Sequence, residues 1–195
     1  MEHRHYLVHK PYGFLSQFIT NGAKKKKHKF LGELYDFAPK TMSIGRLDLD
    51  SEGLLILTTD GKVSNLIQSK KVEKEYYVQV DGEITEEAVE LLKTGVEITA
   101  KEGPYTTLPC KAKKLTDPGF GPRVGKKVRD DRHGPTSWVS ITVREGKFRQ
   151  VRKMTAKVGF PTLRLVRYRI GNVVLGDLKL GQVQEVEDLL EIVNN

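Results

Sequence analysis

Residues 45–61 read GRLDLDSEGLLILTTDG, and this segment is the tightest constraint on any fold the chain can adopt. Arg46, Asp48, Asp50 and Glu52 stand directly before Leu54, Leu55, Ile56 and Leu57, a run apolar enough to form a buried strand. Charge beside a core is costly unless it is paired or put to chemical use. The fold must therefore bury one end of this segment and neutralise or employ the other.

The remaining pattern supplies partners for that strand. Leu54 to Thr58 reads as a strand ending at Asp60-Gly61, and Lys62 to Gln68 has helical spacing with Val63, Leu66 and Ile67 on one side. Tyr6 to Val8 is a short strand closed by Lys10-Pro11-Tyr12-Gly13. Tyr76 to Val80 alternates as a strand, and Glu86 to Thr94 gathers Ala88, Val89, Leu91 and Leu92 on a helical face before Gly95. Val139, Ile141 and Val143 alternate with Ser140, Thr142 and Arg144 as in a half-buried strand. A helix from about Phe148 to Lys157 follows, stopped by Gly159 and Pro161. Strands and helices in this order predict a mixed, largely antiparallel sheet. A chain of 195 residues can bury a core as one large domain or two small ones, and no internal repeat divides it.

Charge narrows the partners. With 33 Lys and Arg against 25 Asp and Glu the net charge is +8, which favours a polyanion: nucleic acid first, an anionic membrane second. Cys110 is the only cysteine, so internal disulfides, CxxC redox chemistry and cysteine-rich zinc sites are excluded. No stretch approaches the roughly 20 apolar residues that span a bilayer, and the start lacks the apolar core of a signal peptide, so a soluble, cytoplasmic protein is expected. Two basic segments lack apolar periodicity and are expected to be mobile: Lys24 to Lys27 with His28 and Lys29, and residues 117–135. The second holds Arg123, Lys126, Lys127, Arg129 and Arg132, suited either to solvent or to a phosphate backbone.

Metal chemistry finds little support. DLDSEG, from Asp48 to Gly53, imitates the first six places of a calcium-binding EF-hand loop, yet the twelfth place, which needs a bidentate Glu, is Thr59. His3, His5 and His9 have strand-like separations and read as exposed or edge histidines. No metal is expected. If an acid of the 48–52 group is catalytic, desolvation beside an apolar wall would favour its neutral form unless a cation sat nearby. Arg149 and Arg152, in EGKFRQVRKM, are one helical turn apart, with Val151, Met154 and Val158 available to face a core. From spacing alone, such arginines serve a carboxylate or a phosphate equally well.

Taken together, GRLDLDSEGLLILTTDG, HKPYGFLSQF, KEYYV at 74–78, EGKFRQVRKM at 145–154 and TLRLVRYRIG at 162–171 resemble, in sequence and order, the pseudouridine synthases that modify ribosomal RNA. The resemblance covers nearly the whole chain. PTSW before the third motif and VGFPTLRL after it are similar to the compact branch acting on large-subunit ribosomal RNA. Because the catalytic-type sequence begins almost at once, a single catalytic domain over 1–195 is expected, without the added N-terminal RNA-binding domain found in ribosomal protein S-four.

The resemblance implies an α+β fold: a central mixed sheet with flanking helices, divided into two subdomains with a basic catalytic cleft between them. It implies Asp48 as nucleophile, Arg152 as the arginine that pairs with it, Tyr76 stacked on an extruded base and Leu165 as an apolar pocket wall. Arg46 is matched to a phosphate contact or to filling the vacated stack. The charge pattern, apart from the resemblance, adds Lys24, Lys25, Lys26, Lys27 and Arg149 as expected RNA contacts. No cofactor is implied. The expected partner is large-subunit ribosomal RNA, naked or in an assembling particle, bound by a monomer. Asp50 and Glu52 are expected to belong to the surrounding turn, and a Pro-Gly turn accounts for Lys10 and Tyr12, which stay outside the expected site. A noncatalytic RNA-binding or ribosome-assembly protein on the same fold is the competing function.

Overall fold

A computed structural model describes residues 3–19, 28–69, 72–129 and 131–190; Lys24 to Lys27 lie outside the described residues. The chain forms two compact units, one from residues 1–72 and 167–195 and one from residues 73–166.

The first unit contains β1 (His5–Lys10), β2 (Phe14–Leu15), β3 (Lys29–Phe30), β4 (Met42–Ser43), β5 (Glu52–Thr58) and α1 (Gly61–Ser69). The strand predicted from Leu54 thus starts two residues earlier and includes Glu52, which is buried in the strand and does not lie in the turn. β1 runs antiparallel to β5, with Val8 opposite Leu55 and Lys10 opposite Gly53, and β4 pairs with the far end of β5. Every residue of β5 is buried, because both faces of this strand are covered, and a doubly covered strand shows a continuous apolar run in place of alternation. Of the three apolar residues expected on one side of α1, Ile67 is buried while Leu66 is 38% exposed.

The second unit contains β6 (Lys74–Asp81), α2 (Glu86–Thr94), β7 (Glu97–Ala100), β8 (Gly103–Thr106), β9 (Lys111–Leu115), β10 (Thr136–Val143) and α3 (Gln150–Lys157). Thr85 caps α2 by accepting from the Ala88 amide, and Ala88, Val89 and Leu92 face the core, whereas Leu91 is 54% exposed. β10 lies antiparallel between β6 and β9. Two members of the predicted polar face, Ser140 and Thr142, are buried too, while Arg144 is exposed beyond the strand end, and Ser140 is satisfied by donating to the Glu75 carboxylate at 2.7 Å.

β11 (Thr162–Ile170) begins in the second unit and ends in the first, and β12 (Val173–Val174) and β13 (Val183–Val186) follow it. Within the first unit the strand order is β13-β1-β5-β11, and within the second it is β11-β6-β10-β9. The mixed-sheet α+β architecture expected from the sequence is the one observed.

In the 117–135 segment, Arg123 and Arg129 are turned onto backbone carbonyls. Arg123 donates to the carbonyls of Lys126, Lys127 and Leu163, and Arg129 donates to those of Gly134 and Pro135 and pairs with Asp81 at 2.9 Å. Buried Arg164 donates to the Gly121 carbonyl and lies over Phe120, which packs against Tyr77 and Trp138. Bonds of this kind order a stretch whose composition alone shows no reason to order. Lys126, Lys127 and Arg132 stay exposed.

Gly53 fixes where β5 meets β11. Its φ is +110°, and a methyl group there would sit 2.3 Å from the Arg167 carbonyl oxygen and 2.5 Å from the Arg167 nitrogen, backbone atoms that cannot swing aside. Gly53→Ala is expected to cost about 3 kcal/mol or more by overpacking the strand pair. Gly61→Ala, with open space at its β-carbon, should stay within about 0.5 kcal/mol. Urea midpoints of the two variants measure both.

Candidate active site

In the first unit the loop between β4 and β5 carries Arg46, exposed, and Asp48, half-buried. This loop is tied down along its length. The Ser16 hydroxyl donates to the Leu47 carbonyl at 2.8 Å and accepts from the Leu47 amide at 3.0 Å, fixing the residue before Asp48. The Gly13 amide donates to the Leu49 carbonyl at 2.8 Å, and the Ser51 amide closes a turn onto the Asp48 carbonyl at 3.1 Å. On the far side the Lys10 ammonium donates to the Ser51 carbonyl at 2.7 Å and to the Pro11 carbonyl at 3.0 Å. One lysine thereby joins the KPYG turn to the loop that holds Asp48.

Lys10 is fully buried, beside Glu52 at 1% exposure and Arg167 at 3%. Burial pushes its ammonium down to about 7; the charge of Glu52 opposes that shift, Arg167 adds to it, and Asp50 and Asp48 oppose it more weakly. Arg167 donates to the Leu54 carbonyl at 2.8 Å, so it secures the start of β5 as well. The charges that precede the apolar run are therefore partly structural: Glu52 favours the charged form of the buried Lys10. Lys10, Ser16 and Arg167 were outside the sequence-based site. The signal was present, because HKPYGFLSQF holds both Lys10 and Ser16, but a Pro-Gly turn accounted for it without requiring a buried cation.

The histidines also move from their expected places. His5 and His9 are buried, not exposed, with Nδ1 atoms 2.8 Å from the Thr58 hydroxyl and the Leu178 carbonyl respectively. Burial lowers the His5 pKa below the ordinary histidine value. Among the described residues no group of three His, Cys, Asp or Glu side chains is placed to hold a metal ion. The glycine of the EF-hand-like DLDSEG serves close strand packing.

In the second unit Tyr76 stands on β6, half-buried, opposite Ile141. It packs on the core cluster that includes Leu165 of β11 and Val151 and Met154 of α3. The structure thus brings Tyr76, Leu165 and the helix bearing Arg152 to one cluster. Arg152 is half-buried on α3. Arg149 is not inside the helix as its spacing suggested: the helix starts at Gln150, and Arg149 precedes it in the left-handed conformation, φ 52° and ψ 34°.

Comparison with known proteins agrees with this architecture. Residues 4–157 match the family described as RNA pseudouridylate synthase. The chain belongs to that family. It is 45% identical over 185 residues to the ribosomal large subunit pseudouridine synthase E of Vibrio parahaemolyticus, covering 93% of this chain and 73% of the relative. Against the protein of the same name from Xanthomonas campestris it is 41% identical over 179 residues, 90% of this chain and 91% of the relative. A crystal structure of a pseudouridylate synthase superposes with a TM-score of 0.74 at 27% identity, over 95% of this chain and 70% of that one.

Membership makes the chain an RNA-modifying isomerase. Of the expected site residues, Tyr76, Arg152 and Leu165 lie on β6, α3 and β11, and Arg46 and Asp48 lie in the loop before β5. Among the described residues no helix is long and apolar enough to cross a membrane.

The buried ammonium has a consequence for stability. Unfolded, Lys10 has the ordinary lysine pKa near 10.5; folded, it titrates at about 7. Between these values the unfolded state binds more protons, so stability contributed at Lys10 rises with pH across this window. The stability of the parent enzyme relative to Lys10→Met should therefore increase from pH 8 to pH 10, by at most about 1.4 kcal/mol per pH unit. Parallel urea-unfolding curves at the two pH values would show that Lys10 gives up its proton on folding in this window.

Proposed function

We propose that this chain converts a uridine of large-subunit ribosomal RNA to pseudouridine, with Asp48 as the nucleophile. The observation that carries the reading is the fixed GRLD loop, whose backbone is bonded on both sides of a half-buried Asp48. A carboxylate held this way reaches a reacting carbon with little reorganisation. The family description supplies RNA as the substrate class, and relatives named ribosomal large subunit pseudouridine synthase E support the large-subunit target.

The reaction breaks the bond between the anomeric carbon and the base nitrogen, turns the detached uracil, and joins the same carbon to a ring carbon. That carbon loses its proton and the nitrogen gains one, so substrate and product are isomers and no redox partner is consumed. The carboxylate serves by adding to the anomeric carbon or by drawing a proton from the sugar to give a glycal; both routes return it unchanged. Arg152 pairs with Asp48 and keeps it ionised and oriented. Tyr76 stacks on the extruded base and Leu165 walls its pocket, since a base that must rotate has to leave its helical stack.

Arg46, Arg149 and Lys24 to Lys27 contact phosphate, and Arg46 is also suited to fill the vacated stack. The two units form one catalytic domain acting as a monomer in the cytoplasm. Naked RNA and a partly assembled particle both present the single-stranded loops that such an enzyme reads.

Purified protein, without added metal or cofactor, should create a new carbodiimide-dependent reverse-transcription stop in large-subunit ribosomal RNA from cells lacking the gene. Asp48→Asn should abolish the stop while keeping the fold and most RNA affinity. Arg152→Met should lower single-turnover rates by about two orders of magnitude through misplacement of the carboxylate. An unchanged stop pattern with RNA binding intact would favour the noncatalytic alternative, and a fully active Asp48→Asn would remove Asp48 as nucleophile.

A further inference from the structure

The turn before α3 presents an aromatic ring to solvent. Phe148 is 70% exposed, and it lies outside the core cluster that takes Val151 and Met154 three and six residues later. One exposed apolar side chain is ordinary. What distinguishes this one is how firmly the turn that carries it is built.

Glu145 accepts from the Tyr105 hydroxyl, from the Leu108 amide at 3.0 Å and from the Gln150 side-chain amide at 2.8 Å. Gln150, itself buried, accepts from the Lys147 amide at 3.1 Å, and its own amide donates to the Lys147 carbonyl at 3.1 Å. Arg149 completes the turn in the left-handed region, φ 52°, which a non-glycine residue holds only when its surroundings fix it there. This network determines the backbone on both sides of Phe148 and leaves the ring outside.

The rim is cationic. The Lys153 ammonium lies 5.4 Å from the centre of the Phe148 ring and is itself anchored to the Thr99 carbonyl at 2.6 Å, while Lys147 lies over the Tyr105 ring at 4.5 Å. Arg149 is adjacent, and the acid in the turn, Glu145, is already engaged by three donors. An exposed aromatic ring with one fixed ammonium over it suits a nucleobase with its phosphate; a hydrophobic protein surface would gain nothing from that charge.

We infer that Phe148 is a base-stacking platform for an unpaired nucleotide of the bound RNA, a subsite separate from the one for the reacting uridine. The turn leads straight into α3, which carries Arg152, so the platform holds single-stranded RNA beside the site of chemistry. Its rigidity limits the ordering cost of binding. The identity of the RNA rests on the proposed function; the stacking itself does not.

Phe148→Trp supplies the test, because the single native tryptophan, Trp138, is buried at 8% exposure. Single-stranded RNA of mixed sequence should quench the new emission, and an abasic strand of equal charge should quench it far less. Phe148→Ala should weaken single-strand binding about tenfold with an unchanged salt slope, since a stacking contact and no charge is lost, and Phe148→Tyr should restore the affinity. Equal quenching by the abasic strand, or unaltered affinity in Phe148→Ala, would overturn the platform. These readouts need no turnover: loss of activity with quenching intact would count against the proposed function, and the reverse against the platform.

Discussion

Much of the first unit depends on where the ammonium of Lys10 is held. A fully buried cation on two backbone carbonyls is a costly element, and it is offset here by Glu52 at the head of β5 and by the hydrogen bonds themselves. In return the KPYG turn, the GRLD loop and the first residues of the central strand are joined at one point. Arg167 reinforces that junction through the Leu54 carbonyl, and Gly53 permits the backbone approach that lets it do so. A carboxylate placed on such a loop loses little freedom when substrate arrives.

The second unit reaches rigidity by a different device, arginines turned onto backbone carbonyls. Arg123, Arg129 and Arg164 each donate to main-chain oxygens of the 117–135 segment or its neighbours, and Phe120 seats the segment on Tyr77 and Trp138. The positive charge counted from the sequence is therefore divided: part holds the protein together, and part, such as Lys126 and Lys127, remains exposed for a polyanion. Counting bases alone does not separate these roles, because the geometry of a guanidinium fork suits carbonyls as well as phosphates.

Strong periodicity and explicit stop signals were legible from the sequence. The α2 helix matches its predicted bounds because Thr85 and Gly95 mark them chemically, and the alternating sequences of β6 and β10 located both strands, although β10 is buried on both faces. The candidate residues were legible only through the family motifs. Buried polar groups were not: Glu52, Lys10, His5 and His9 read as turn, surface or edge residues, since their burial depends on partners distant in sequence, at Ser51, Thr58, Arg167 and Leu178. Arg149 was misread for a local reason, as one left-handed residue shifts the helix start without altering the spacing of its apolar face.

The central claim is that the Asp48 loop is ordered before RNA binds. Amide hydrogen exchange of the free enzyme tests this directly at Gly13 and Leu47, whose N–H groups donate to the Leu49 carbonyl and the Ser16 hydroxyl. A preorganised loop predicts protection at both amides close to that of the β5 core amides, exchanging only with large-scale opening. Exchange at rates typical of an open surface loop, with protection appearing only when RNA is added, would contradict it.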